Sequence, residues 1–415
     1  MQAYRNRLID SILDRKLQSV GAVMIEGARA VGKSTTALHH SKSAISLDVG
    51  QAAEQAAIAP ESVLVGPVPR LIDEWQLAPP LWNSMRHEVD RRQTPGQYIL
   101  TGSAAPTDHL TYHSGAGRVA RLTLRPMTLF ESGDSLGQVS FTGLMEGDGA
   151  AAFGGPSVSD YAALLVRGGW PGLVGLSPLE ASEALRDYLA NIARVDLRQN
   201  GQSPDPMRMA GLLGSLARHT ATEAALSKLA ADAQLDRTTL STQTVRHYLD
   251  QLTRVFVLEE LPAWRSHVRS SVALRIKPKW HLVDPALAAA ALRVTPAGLL
   301  EDLATFGLFF ESMVVRDLRA YAALWDGQVY HYRDSSGLEI DAIVQRYDGR
   351  WLAVEVKLGG LAALAQAAKN FAKFSNRLTS KALANCAGYV VVTAGNASHQ
   401  RPDGIWQVAL GHLAP

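Results

Sequence analysis

Gly27-Ala28-Arg29-Ala30-Val31-Gly32-Lys33-Ser34 decides how the first third of the chain is read. It satisfies G-x-x-x-x-G-K-S/T, follows a short apolar run (residues 21–26) and leads into a helix-forming stretch that opens with Ser34, Thr35 and Thr36. Strand, glycine-rich loop and helix in that order make a phosphate cradle. Glycines let successive N–H groups curl around phosphate oxygens, and the amino end of the helix adds about half a positive charge. Gly27 through Thr35 are therefore expected to bind ATP, with Lys33 reaching the terminal phosphates and Ser34 holding Mg²⁺.

Working outward, Val68-Pro69-Arg70-Leu71-Ile72-Asp73-Glu74-Trp75-Gln76 reads as a short apolar strand ending in two acids. A nucleotide hydrolase needs such a strand end near its phosphate loop: Asp73 is expected in the Mg²⁺ shell and Glu74 as the group that activates the attacking water. Residues 97–103 form another buried strand, ending on hydroxyl residues that can orient that water. On the amino side, residues 8–17 carry apolar positions at helical spacing.

Composition bounds the rest. A chain of 415 residues with 47% hydrophobic content is long enough for two to four domains with sizeable cores. Lys plus Arg number 41 against 39 Asp plus Glu, a net charge of +2, so any surface for nucleic acid must be a local patch. The single cysteine, Cys386, excludes an internal disulfide framework and a zinc ribbon and fits a reducing compartment. No signal peptide and no run of 18 apolar residues is visible, so a soluble, cytoplasmic protein without a membrane span is expected.

The order of phosphate loop, Asp-Glu strand, polar strand end and Arg-bearing segment (residues 113–121) resembles AAA+ ATPases. More closely, GARAVGKSTTA, RLIDEWQ, YILTGSA, HSGAGR, LRPMTLFES and RGGWPG resemble a bacterial and archaeal group of AAA-type ATPases of largely unassigned function, whose C-terminal region is described as a nuclease-like domain. The resemblance spans nearly the whole chain. It implies Thr101 as the first sensor and Arg118 as the arginine finger, with Arg121 a competitor. It also offers Arg167 as a second sensor, unless RGGWPG is a structural turn. A finger supplied by a neighbour implies a homo-oligomer.

Residues 132–158, rich in Gly, Ser, Ala and Asp, read as a linker bracketing a short strand or helix, and residues 159–197 as a helical lid. Helical stretches at 207–218, 224–233 and 241–254, then a strand at 255–261 and a basic segment to Trp280, read as a winged helix. Between Pro262 and Trp280 stand Arg265, Arg269, Arg275, Lys277 and Lys279 with no acid, the place expected for phosphate contacts. Thr242, Gln243, Arg246 and His247 lie on the polar side of the third helix. Nucleic acid is the expected partner, DNA ahead of RNA; a packing or oligomerisation module is the alternative.

The C-terminal third begins with a long amphipathic helix (301–324) that includes Glu311. The period then changes to two, with strands at 328–333, 338–344 and 351–357. Alternation places Asp341 with Glu339 and Ile343, and Glu355 with Lys357. Glu311, Asp341, Glu355 and Lys357 resemble the PD-(D/E)XK nuclease core, in which Asp341 and Glu355 would hold Mg²⁺ or Mn²⁺ for phosphodiester hydrolysis. Two carboxylates about 4 Å apart repel by about 4 kcal/mol at an effective dielectric of 20, so Lys357 or a metal must relieve the cluster.

The fold expected is α/β: a P-loop AAA+ core with a parallel sheet and flanking helices (1–131), a linker and helical lid (132–204), a winged helix (205–295) and a nuclease-like α/β domain (296–415). The function expected is Mg²⁺-dependent ATP binding and hydrolysis in the service of nucleic-acid processing. The alternatives are an ATP-switched interaction or regulatory protein with an inactive nuclease fold, and a protein remodeller.

Overall fold

Five short segments of the first 126 residues form the strands of one parallel sheet: β1 (Ala22–Glu26), β2 (Ser43–Ser46), β3 (Arg70–Asp73), β4 (Tyr98–Thr101) and β5 (Val119–Thr123). Their order across the sheet is β2-β3-β4-β1-β5. β1 and β4 lie in the middle and are buried along their whole length, which is why they read as unbroken apolar runs, whereas the edge strand β2 is only half-buried. Helices cover the sheet, and Met24, Ile72 and Leu100 pack with Trp75, Trp82 and Met85 in one core cluster.

The structure is a computed structural model that describes residues 4–102, 115–194, 205–233, 240–265 and 276–415. It divides into two units, Met1–Pro126 with Arg254–Phe256, and Met127–Thr253 with Val257–Pro415. Among the described residues no helix is long and apolar enough to cross a membrane.

The second unit opens with a helical region. Helices Val158–Arg167 and Pro178–Arg194 are followed by Pro206–Arg218, Leu226–Asp232 and Thr242–Arg254. Asp205 caps the third of these, accepting from Met207 N at 2.8 Å. After β6 (Val139–Ser140) and β7 (Ala152–Phe153), strands β8 (Leu258–Leu261) and β9 (Lys279–Leu282) pair antiparallel. Three helices and a two-stranded hairpin are the parts expected of a winged helix. The turn at 235–239 and most of the wing tip (266–275) lie outside the described residues.

The helix Leu303–Ala323 leads into a mixed sheet formed by β10 (Gln328–Arg333), β11 (Glu339–Gln345), β12 (Trp351–Lys357), β13 (Cys386–Thr393), β14 (Ala397–Gln400) and β15 (Trp406–Ala409), ahead of a short β16 (Leu413–Ala414). The sheet order is β10-β11-β12-β13-β15-β14-β7. β10, β11 and β12 form an antiparallel meander; the helix Leu361–Ser375 then carries the chain to β13, parallel to β12.

Residues 132–158, expected to be a linker with a short strand or helix, are docked instead: β7 joins the edge of this sheet beside β14, and β6 pairs with β16 in a separate two-stranded sheet. The β8–β9 pair is equally bound in. Trp264, just past β8, packs against Trp351 and Phe374 of the C-terminal core and donates from its indole to Gln345 Oε1 at 3.1 Å.

Candidate functional site

The phosphate loop leaves β1 at Gly27, where a side chain is impossible. Its φ is +149°, and a Cβ would come within 2.1 Å of the Leu124 carbonyl oxygen. The loop closes at Gly32, which starts the helix Lys33–His39 in a left-handed conformation. Inside the loop the buried Lys33 ammonium donates to the carbonyls of Gly27 and Ala28, at 2.9 and 2.8 Å. Burial pushes Lys33 down to about 8, against the opposing pull of the nearby Glu74 and Asp73 carboxylates. Arg7, from the segment before the first helix, steadies the loop by donating to Val31 O at 2.8 Å and to Arg125 O at 2.7 Å.

Parallel pairing brings the carboxyl ends of β1, β3 and β4 to one edge of the sheet, and with them three polar side chains. Ser34 Oγ donates to Asp73 Oδ1 at 2.8 Å, and the Thr101 hydroxyl donates to the same oxygen. Glu74, next in the chain, sits at φ +54°, and its carboxylate accepts from the Gln76 amide. Gln76 fits there because residue 102 is glycine: a Cβ on Gly102 would stand 2.6 Å from Gln76 Oε1.

A second cluster forms where the helix Leu303–Ala323, β9, β11 and β12 meet. Lys357 Nζ lies 3.1 Å from Asp341 Oδ2 and 2.6 Å from Glu355 Oε2. Val356 N donates to Asp341 Oδ2 at 2.7 Å, and Asn370 Nδ2 donates to Glu355 Oε1 at 3.1 Å. Lys279 of β9 completes the group, 2.7 Å from Glu311 Oε1 and 2.5 Å from Glu339 Oε1.

Burial raises Glu311 and Glu355, and the charge of Asp341 adds to both shifts. Burial also opposes ionisation of Asp341, but Lys357, Lys279 and the Val356 N–H outweigh it and hold this carboxyl below its ordinary value. The four side chains expected here thus converge, with two lysines among the carboxylates. Among the described residues, no group of three or more His, Cys, Asp or Glu side chains stands ready to hold a metal ion.

Residues 19–132 match the family model of an AAA domain. Residues 306–413 match a domain of unknown function (DUF4143), and residues 158–298 match another (DUF8612). The chain is 27% identical over 352 residues to uncharacterized proteins of Mycobacterium tuberculosis and Mycobacterium bovis, covering 83% of this chain and 72% of each relative. Among solved structures, a Walker-type ATPase of Pyrococcus abyssi aligns with a TM-score of 0.44 and 15% identity, over 70% of this chain and 96% of that one.

The AAA domain implies ATP binding, and the loop at Gly27–Ser34 is where its geometry provides for it. Arg118 sits at the other end of the sheet. Its carbonyl pairs with Ala22 N at the start of β1, and its exposed guanidinium holds Asp90 Oδ1 and Oδ2 at 2.7 and 2.9 Å. Arg121, the competing candidate, bonds to Glu26 of its own chain. Arg167 is buried and bonded to Asp134 at 2.5 Å. In the same region Gly169 N donates to Asp284 Oδ2 at 3.0 Å, and Arg316 bonds both Asp284 and Asp317.

Lys279 corrects the reading of the basic wing. It is a buried partner of Glu311 and Glu339, not a surface cation, because it falls within the fully buried strand β9. Arg265 and Lys277 are exposed, as are Thr242, Gln243, Arg246 and His247; Arg269, Arg275, Ser103, His113 and Ser114 lie outside the described residues. Sequence reasoning also missed Gln76, Arg7 and Asn370. Only Gln76 had a local signal, an amide two residues after Glu74.

Proposed function

We propose that this protein is a Mg²⁺-dependent ATP hydrolase whose AAA domain serves a second unit that acts on nucleic acid. The observation that carries the proposal is the convergence of Ser34 and Thr101 on Asp73 beside the phosphate loop. A hydroxyl and a carboxylate in contact form a hard oxygen pair that fits Mg²⁺, and the glycine-bounded loop with its buried ammonium fits a triphosphate. Bound Mg²⁺ would offset charge on the phosphates; Ser34 and Asp73 are the residues that would hold it.

The chain's own groups account for the remaining steps. Lys33 exchanges its carbonyl partners for phosphate oxygens. Glu74 accepts the proton of the attacking water, Gln76 fixes the direction of that carboxylate, and Thr101 holds Asp73 in place. Arg118 stands one strand length from its own loop, about 16 Å at about 3.3 Å per residue, so it would act on the nucleotide of a neighbouring copy. A homo-oligomer is the setting this implies. The central test is steady-state ATP hydrolysis by wild type and Glu74→Gln, with nucleotide binding measured in parallel.

Nucleic-acid binding is supported by the three helices and the hairpin, and by exposed Arg246, His247, Arg265 and Lys277. DNA is the first substrate to test and RNA the second. The meander β10-β11-β12, the crossover helix and parallel β13, with Glu311, Asp341, Glu355 and Lys357 gathered on them, support a PD-(D/E)XK-like ancestry.

Lys279 favours a second reading for present activity. It supplies in ammonium form the positive charge that a metal would bring, which suits an inactive scaffold that binds without cutting. Incubation with single- and double-stranded DNA and RNA, with Mg²⁺ or Mn²⁺ and with or without ATP, separates the two. Metal-dependent cleavage lost in Glu355→Gln supports the nuclease; uniform silence with salt-sensitive binding supports the scaffold.

A further inference from the structure

Residues 356–402 contain no Asp or Glu, yet they include Lys357, Lys369, Lys373, Arg377, Lys381 and Arg401. The helix Leu361–Ser375 lies in this stretch, and its only charged side chains are Lys369 and Lys373, both exposed. At about 3.6 residues per turn, Gln366, Lys369, Asn370 and Lys373 share one face. The opposite face buries Leu364, Ala367, Phe371 and Phe374 in the core of the sheet.

That polar face is tied to the carboxylate cluster. Asn370 Nδ2 donates to Glu355 Oε1 at 3.1 Å, and Gln366 Nε2 donates to Asn370 Oδ1 at 2.9 Å. Arg377 turns to Asp334, but among the described residues Lys369, Lys373 and Lys381 form no ion pair. Gly360 starts the helix without a side-chain cap and no acid stands in its first turn, so its positive amino end is unshielded. This lysine face is distinguished by the absence of any acid along the segment together with its hydrogen-bonded link to Glu355.

We infer that the helix Leu361–Ser375 is a second contact surface for a phosphodiester backbone, with Lys369 and Lys373 holding phosphates beside the Asn370–Glu355 pair so that the strand lies across the carboxylate cluster. This rests on the proposal that the second unit binds nucleic acid. The evenly spaced single charges of a phosphodiester chain suit cations repeated about 6 Å apart along a helix face, and the same geometry serves a scaffold that only binds.

The test uses the full chain. Affinities for labelled duplex DNA, single-stranded DNA and RNA are measured across a salt series for wild type, for Lys369→Ala with Lys373→Ala, for the same pair changed to Arg, and for Arg246→Ala. Loss of two phosphate contacts flattens the log-log salt slope by about 1 to 2 units in the alanine pair, while the arginine pair retains the wild-type slope. An unchanged slope and affinity in the alanine pair, alongside weakened binding in Arg246→Ala, overturns the inference and leaves the winged-helix contact standing. If wild type binds none of the three nucleic acids, the nucleic-acid proposal and this inference fall together.

Discussion

Lys33 donates to two loop carbonyls from within the loop that would receive the phosphates, so Lys33→Ala removes the ammonium without disturbing the sheet. A charge-assisted hydrogen bond contributes about 1.5–3 kcal/mol, so ATP affinity in this variant should fall by at least about tenfold, read by titration with a fluorescent nucleotide. Gln76→Ala should leave that affinity nearly unchanged and lower turnover, because it frees only the Glu74 carboxylate. At the second cluster, Lys279→Met should destabilise the protein by about 3–5 kcal/mol in denaturant unfolding, since it leaves Glu311 buried without its cation. Lys33, Ser34 and Asp73 were legible in the sequence because loop spacing and strand ends encode them. Lys279 was not, since its partners Glu311 and Glu339 are far along the chain and only tertiary packing brings them to β9.

Between single residues and domains, the helix after the phosphate loop is held at its far end by a small ionic group. The His40 ring stands 3.2 Å from Asp10 and 2.8 Å from Asp14, both of the helix Asp10–Leu17, and Asp10 also accepts from the Tyr4 hydroxyl and Arg7 N. The hydrogen bond to Asp10 and the charge of Asp14 raise His40, whereas Asp10 is lowered by His40, Arg7 N and Tyr4 in spite of its burial. The stabilisation from His40 is complete below its unfolded value of about 6.5 and disappears as pH rises through its raised folded value; that from Asp10 is present above about 4 and fades as pH falls. The Tm gap between wild type and His40→Ala should therefore be widest between about pH 5 and 6.5 and narrow towards pH 9; a gap independent of pH would remove the ion pair from the account. Elements of this size were legible where apolar runs were continuous, as in β1 and β4. A short strand or helix was legible within residues 132–158, but its type and bounds were not, because the two residues of β6 or of β7 cannot display an alternation and their glycine-rich surroundings read as linker.

Over the whole molecule, the chain divides after Pro126, and residues 132–158, read in the sequence as a linker, join the C-terminal part through the pairing of β7 with β14 and of β6 with β16. Composition could not reveal this, since a segment poor in apolar residues can still donate backbone hydrogen bonds to a sheet edge. If Arg118 serves a neighbouring copy, Arg118→Ala and Lys33→Ala subunits should each be inactive alone and regain part of the activity when mixed, as an intact loop meets an intact guanidinium. A monomer at working concentration with full turnover would rule that out. ATP hydrolysis at the edge where β1, β3 and β4 end is the central property of the molecule proposed here. The direct measurement is steady-state phosphate release by the full chain with Mg²⁺-ATP, in wild type and in Glu74→Gln, alongside nucleotide affinity. Turnover by wild type, with loss of at least about a hundredfold in Glu74→Gln at unchanged affinity, is the result expected for removal of a general base. Equal turnover in the two proteins would contradict it.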